Sequence, residues 1–396
     1  MNKWIAILLS LSLLALAGCG ANGTPEVQTW ETSPAATTEA RSETTIPEEA
    51  ESQAENVDLT AFTRENPYNK TSQVGVYAPM VTEVGTYTLD YIDISREDAF
   101  HALRPEDHSA LHAAEEHGYH RLHSDSGMTL TAEKSYLSLG FEYEGEFQQQ
   151  SQIFTEIEGL LQWKLDHGET DSPELPFATK KQVQEQCEGA MTALGLGLEP
   201  ELMDCIGMTH QEARQYQQHL LKTDETYDCF GKVYELPELD DSFDCYYLTY
   251  SFRWDGIPVY GCDWFPYISR SDVADRYQWA SAQFLVSADG IQDCVIYGGF
   301  GKPRLQEKQP VLSAEEAARI ACQELDADMS QFTPDRDHRI EYVSFCLAPM
   351  YDDASGSYQL TPMWGAEMSF RAEKSWVYSY TGGEIFLDGI TGDRIC

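Results

Sequence analysis

Cys245-Tyr-Tyr-Leu-Thr-Tyr-Ser-Phe-Arg-Trp254, followed directly by Asp255-Gly-Ile-Pro-Val259, is the stretch from which the fold can be read. Aromatic and apolar residues dominate its first ten positions, so they form a strand. The next five form a turn, because Gly256 admits a left-handed backbone and Pro258 withholds a ladder N–H. Downstream, residues 282–286 and 293–297 read as strands around the turn Ala288-Asp-Gly290. The order then repeats. A helix over 313–325 precedes strands at 340–347, 359–370 and 375–380, and a tail Gly383-Glu-Ile-Phe-Leu-Asp-Gly-Ile-Thr-Gly-Asp393. Helix followed by antiparallel strands, twice, predicts an α+β fold with antiparallel sheets each packed by helices.

Upstream, residues 74–77, 86–94 and 134–143 have strand character. Residues 151–167 read as a helix, since Ile153, Ile157, Leu160, Leu161 and Leu165 recur at helical spacing. Three helix starts carry capping boxes: Thr179-x-x-Gln182, Thr209-x-x-Glu212 and Ser313-x-x-Glu316. In each, an N-cap hydroxyl meets a side chain that reaches back from three positions later.

The chain opens differently. Lys3 precedes an apolar run from Trp4 to Leu16, shorter than the ~20 residues a spanning helix needs and suited to a secretory signal. It ends in Leu16-Ala17-Gly18-Cys19, which resembles the lipobox of a bacterial lipoprotein of the Gram-positive, clostridial type. That resemblance implies a signal peptide over 1–18 and palmitate-type lipidation of Cys19. It also implies a body anchored to the lipid bilayer of the cell membrane, facing outside the cytoplasm. Residues 19–56 are rich in Thr, Ser, Ala, Glu and Pro, have one Arg and no Lys, and predict a disordered acidic tether.

The body divides on this reading into 57–175, an α+β region of unknown type, and two units over 176–305 and 306–396. The later half resembles the PepSY family and its relatives, among them propeptide domains of secreted metalloproteases and YycI-type regulators. The resemblance rests on Asp255-Gly-Ile-Pro-Val259, Leu360-Thr-Pro-Met-Trp364 and Leu387-Asp-Gly-Ile-Thr-Gly392. Gly256, Pro258, Trp364, Asp388, Thr391 and Gly392 are its structural positions, and Gly389 stands where the family usually has Ala. The resemblance implies a non-enzymatic role: binding, inhibiting or regulating a partner protein of the cell envelope.

Composition narrows the partner. There are 26 Lys and Arg against 66 Asp and Glu, a formal net charge of −40. Such a chain does not neutralise phosphates, so nucleic acid is excluded. Eight of the acids lie in the tether, so the acidity belongs mainly to the body and favours basic surfaces or cations.

Six of the ten histidines fall between His101 and His123. Pro105 can open a helix and Gly118 can close it, which would place His108, His112 and Glu115 or Glu116 on one face. His117, His120 and His123 follow in a loop, and such a set can chelate zinc. The alternative function is therefore a metal- or small-ligand-binding lipoprotein using segment 101–123. The bland reading, a solvated His-rich helix and loop, stands beside it. No His-Glu-x-x-His motif occurs, so metallopeptidase chemistry has no support. Nucleotide-binding and hydrolase glycine motifs are also absent, and no catalytic residue is assigned.

Nine cysteines remain after Cys19, without any Cys-x-x-Cys. Cys187 and Cys322 fall in helices, and Cys245, Cys294 and Cys346 in strands, which suits buried thiols. Cys229, Cys245, Cys262 and Cys294 are the candidates if a disulfide forms. Asp240, Asp241 and Asp244 fit no calcium loop. Trp254, Trp264, Trp279, Trp364 and Trp376 fit core and cross-strand positions better than a stacking site.

Overall fold

The computed structural model describes residues 56–395, apart from 80, 117–118, 134, 143–144, 167, 169, 171, 224–238, 262–275, 333–335, 354 and 372–379. The signal, the lipobox and nearly all of the tether lie outside the described residues. So do His117, Cys229, Cys262, Cys396, Trp264, Trp376 and nearly all of the strand expected at 375–380.

The chain runs β1 (Val57–Asp58), β2 (Gln73–Tyr77), β3 (Glu83–Leu89), α1 (Arg96–Leu103), β4 (Leu111–Glu116), β5 (Tyr119–Ser124), β6 (Met128–Glu133) and β7 (Tyr136–Phe141). It continues through α2 (Gln148–Asp166), α3 (Lys180–Ala193), β8 (Glu199–Met208), α4 (His210–Thr223), β9 (Cys245–Trp254), β10 (Ile257–Pro258), β11 (Ser281–Ser287) and β12 (Gly290–Tyr297). It closes with β13 (Arg304–Pro310), α5 (Ala314–Phe332), β14 (His338–Asp352), β15 (Ser357–Arg371) and β16 (Tyr380–Asp388). The fold is α+β, and its sheets are mostly antiparallel.

The strands assemble into two sheets. Sheet I has the order β1-β2-β14-β15-β3-β13, with β16 also paired to β15. Sheet II has the order β10-β9-β11-β12-β7-β6-β5-β4, with β8 also paired to β9. Segment 57–175 therefore contributes to both: β1–β3 join the C-terminal strands in sheet I, and β4–β7 extend sheet II.

Alternation along β9 organises sheet II. Tyr246, Leu248, Tyr250 and Phe252 are buried on the side of α1 and α3, among Phe100, Leu103, Val183 and Met191. Cys245 and Tyr247 are buried on the opposite side, among Ile157, Leu160 and Leu161 of α2 and Ala213 of α4. Strand β9 is covered on both faces, which explains its run of apolar and aromatic residues. In sheet I, Ala317, Ala318, Ala321 and Leu325 of α5 pack with Val343, Phe345, Trp364 and Ile385. Small residues on the helix let it lie close to the sheet.

All three capping boxes form. In α3 the Thr179 hydroxyl accepts from Gln182 N–H while the Gln182 side chain accepts from Thr179 N–H. Thr209 with Glu212 and Ser313 with Glu316 repeat the arrangement at α4 and α5.

The two sheets share one apolar cluster, extending from Val74 and Phe345 in sheet I to Leu130 and Phe284 in sheet II. Their loops are stitched as well. Ile92 N–H donates to Gly299 C=O at 3.0 Å, and Gly301 N–H to Asp90 C=O at 2.9 Å. Phe300, fully buried, stacks on Tyr91 at 5.1 Å and packs against Tyr358 at 5.4 Å. Phe300→Ala is expected to lower the unfolding free energy by about 3–5 kcal/mol. It should shift one cooperative denaturant transition, monitored by tryptophan fluorescence and far-UV circular dichroism. Loss of sheet signal in two separated steps would contradict a shared core.

Candidate functional site

The histidine segment folds differently from the expected helix. Helix α1 ends at Leu103, well before His108, and residues 111–116 are strand β4. His108 and His112 therefore share no helical face. The cause is non-local: β4 pairs with β5 from Leu111↔Ser124 to Glu116↔Tyr119, and β5 pairs with β6. Leu122 and Leu130 are buried in the shared core by this register. Helical spacing between histidines carries no information about that pairing.

The hairpin sets His112 opposite His123, and Glu115 opposite His120. His112 Nε2 lies 2.8 Å from Asp125 on an exposed surface. His123 is more enclosed. Its Nδ1 is 2.9 Å from Glu142 and 3.1 Å from the Thr129 hydroxyl, while its Nε2 is 3.4 Å from Glu116. Glu116 is also held by Arg121 at 2.9 Å. These contacts fix the imidazole orientation between two carboxylates. His101 lies on α1, edge-on to Phe100. Among the described residues, no group of three or more His, Cys, Asp or Glu is placed to hold a metal ion. Of the expected zinc set His108, His112, Glu115, Glu116, His117, His120 and His123, the hairpin brings His112 opposite His123, Glu115 opposite His120 and Glu116 against His123, while His117 lies outside the described residues.

The family-motif residues serve turns and core. Asp255 (φ 53°) and Gly256 (φ 74°) both lie in the left-handed region, the pattern of a two-residue type I′ hairpin. Trp254 pairs with Ile257 across it, and Pro258 sits opposite Arg253 on an edge strand, where no ladder N–H is needed. Trp364 donates its indole N–H to Leu312 C=O at 3.2 Å. Asp388 Oδ1 accepts from the N–H groups of Ile390 and Thr391, at 2.9 and 2.8 Å. Gly392 closes this turn by donating to Asp388 C=O. Arg394 then pins the tail to Glu324 and Asp328 of α5.

Cys187, Cys205, Cys245, Cys294 and Cys322 are free thiols, and Cys346 is buried. Cys245 and Cys294 lie in clusters on opposite faces of sheet II, so they do not pair. Burial pushes the Cys205 and Cys322 thiols up to about 11, which keeps them protonated and unreactive near neutrality.

One acidic pair escaped the sequence reading. Glu158 on α2 and Asp293 on β12 interact across the helix–sheet boundary, and Asp293 Oδ2 occupies the space above Gly140. Removal from water raises the Glu158 carboxyl from 4.5 to about 7. The same cause, reinforced by Glu158, pushes Asp293 well above the usual carboxylate range. Nothing local distinguishes these two acids from the many others in the chain.

No protein-family model matches the chain, and no curated protein matches it. Among solved structures it is similar to an uncharacterized protein from Eubacterium rectale, at 11% identity and a TM-score of 0.49. That similarity covers 81% of this chain and 89% of the other. A likeness this distant carries no functional argument.

Two predictions follow from these geometries. A Cβ added at Gly389 would lie 2.8 Å from the Pro362 carbonyl carbon, so Gly389→Ala should cost about 1–3 kcal/mol. An unchanged melting temperature would show that the turn has room for the alanine. For Glu158 the folded-state value lies above the unfolded one, so its protonation stabilises the fold below about pH 4.5. That contribution is lost as pH rises through about 7. Glu158→Gln should therefore gain on the wild type by about 2 kcal/mol between pH 5 and 8 in urea titrations. A pH-independent difference between the two proteins would refute the assignment.

Proposed function

We propose that the chain is a membrane-tethered extracytoplasmic lipoprotein. Its body binds or regulates a partner protein of the cell envelope without catalysing a reaction. The observation that carries this is Leu16-Ala17-Gly18-Cys19 at the end of a short apolar run, followed by the acidic segment 19–56. Two or three acyl chains on one residue suffice for stable anchoring. Among the described residues no helix is long and apolar enough to cross a membrane.

The binding role rests on the PepSY-like order of helix and antiparallel strands in 176–305 and 306–396. The second of these runs α5-β14-β15-β16. Gly256, Pro258, Trp364, Asp388, Thr391 and Gly392 shape turns and core there, consistent with a scaffold that presents a surface. The acidic body is repelled by anionic membrane and wall polymers, and it favours a partner with a basic face.

Palmitate labelling tests the anchor. Wild-type protein should carry label and sediment with membranes, whereas Cys19→Ser should be unlabelled and lose the membrane fraction. Label retained on Cys19→Ser would exclude the assignment. Crosslinking in intact envelopes should recover one basic protein, with recovery falling as salt rises. Recovery of no protein would remove the partner role.

A further inference from the structure

A cleft of about 340 Å³ opens where the loops of the two sheets meet. This lies within the range of small-molecule sites, about 300–1,000 Å³. Its aliphatic floor is Ile92, Leu137, Leu194, Leu196 and Ile296, and Tyr136 also lines it. These residues come from four separate parts of the chain, so the fold brings the apolar surface together.

Among the described residues, the charged groups lining the cleft are Arg96, Glu97 and Glu133. Arg96 begins α1, and its Nε is shut off from solvent without any hydrogen-bond partner. A donor in that state is destabilised until an acceptor arrives. Glu97 and Glu133 also line the cleft and are exposed. No ion pair joins any of these three to another described residue. The Ser95 hydroxyl accepts from Asp98 N–H, and the Arg96 and Glu97 N–H groups, in the first turn of α1, have no intrahelical acceptors. The positive end of the helix dipole adds to the Arg96 charge at this mouth.

The geometry points to a binding site for a small apolar α-amino acid. Its carboxylate would meet the Arg96 guanidinium and the first turn of α1, its ammonium would meet Glu133 and Glu97, and its side chain would rest on the aliphatic floor. Each part of such a ligand answers a group that has no ion-pair partner among the described residues. A zwitterion also suits a cleft that holds charges of both signs, whereas a simple anion would face two carboxylates. This site is independent of anchoring and of any protein partner.

The test is calorimetric titration of the full-length chain with leucine, with isocaproate (no ammonium) and with isoamylamine (no carboxylate). Leucine should bind saturably at one site, and each analogue at least tenfold more weakly. Arg96→Gln should weaken leucine binding tenfold or more. Glu133→Gln should weaken leucine binding but leave isocaproate binding unchanged or improved. Far-UV circular dichroism and melting temperature of both variants should match the wild type, since both side chains lie at the cleft rather than in the core. The inference is overturned if leucine gives no saturable heat, or if Arg96→Gln binds it as wild type does. It is equally overturned if isoamylamine binds as tightly as leucine. None of these outcomes bears on the lipoprotein reading, which is decided by palmitate labelling.

Discussion

The backbone N–H of Tyr260 donates to the carbonyl of Leu347 at 2.8 Å, and Val259 forms a parallel bridge to the same residue. This contact clips the end of the β9–β10 hairpin in sheet II onto β14 in sheet I. The type I′ turn at Asp255-Gly256 makes it possible, because it returns the chain tightly after ten strand residues. Tyr87 of β3 meets the same hairpin, 3.3 Å from Asp255 and edge-on to Trp254. Once the clip is made, the aliphatic faces of both sheets close around one core. The cleft beside Arg96 lies at a separate contact between the sheets, where Ile92 N–H donates to Gly299 C=O.

Strand pairing divides the N-terminal strands between the two sheets. Sheet I needs β2 beside β14, in the parallel pairing Tyr342↔Gly75, and β3 beside β15. Sheet II needs β7 beside β12 to cover the Cys294 region. Strands 57–89 and 111–141 therefore part company, although they are neighbours in sequence. Asp326 of α5 reinforces the arrangement by accepting from Asn66, Asn69 and His338. A region that divides between two sheets is a structural part of both.

Local chemistry was legible in the sequence wherever it depends on a few adjacent residues. The three capping boxes placed three helix starts, and the aromatic run at 245–254 is β9 to the residue. Buried Cys187, Cys245, Cys294, Cys322 and Cys346 followed from apolar neighbours. The helix expected between Pro105 and Gly118 is strand β4 instead, because the local sequence around Leu111 suits a helix and a strand alike. Register against β6 settled that choice. The Gly389 position shows a finer limit: small residues are equivalent on paper, yet Pro362 leaves no space for a methyl. The candidate sites were least legible of all. Arg96, Glu133 and Ile296 lie far apart in the chain, as do Glu158 and Asp293, so no spacing rule could join them.

The central claim is that both sheets form one cooperative body held at the clip. Native-state hydrogen exchange of the full-length chain, resolved by mass spectrometry, tests it directly. Peptides covering β9 in sheet II and β14 in sheet I should exchange with the same free energy, and that energy should fall equally for both in dilute denaturant. Two distinct opening energies, with one sheet exchanging fully while the other stays protected, would contradict the account.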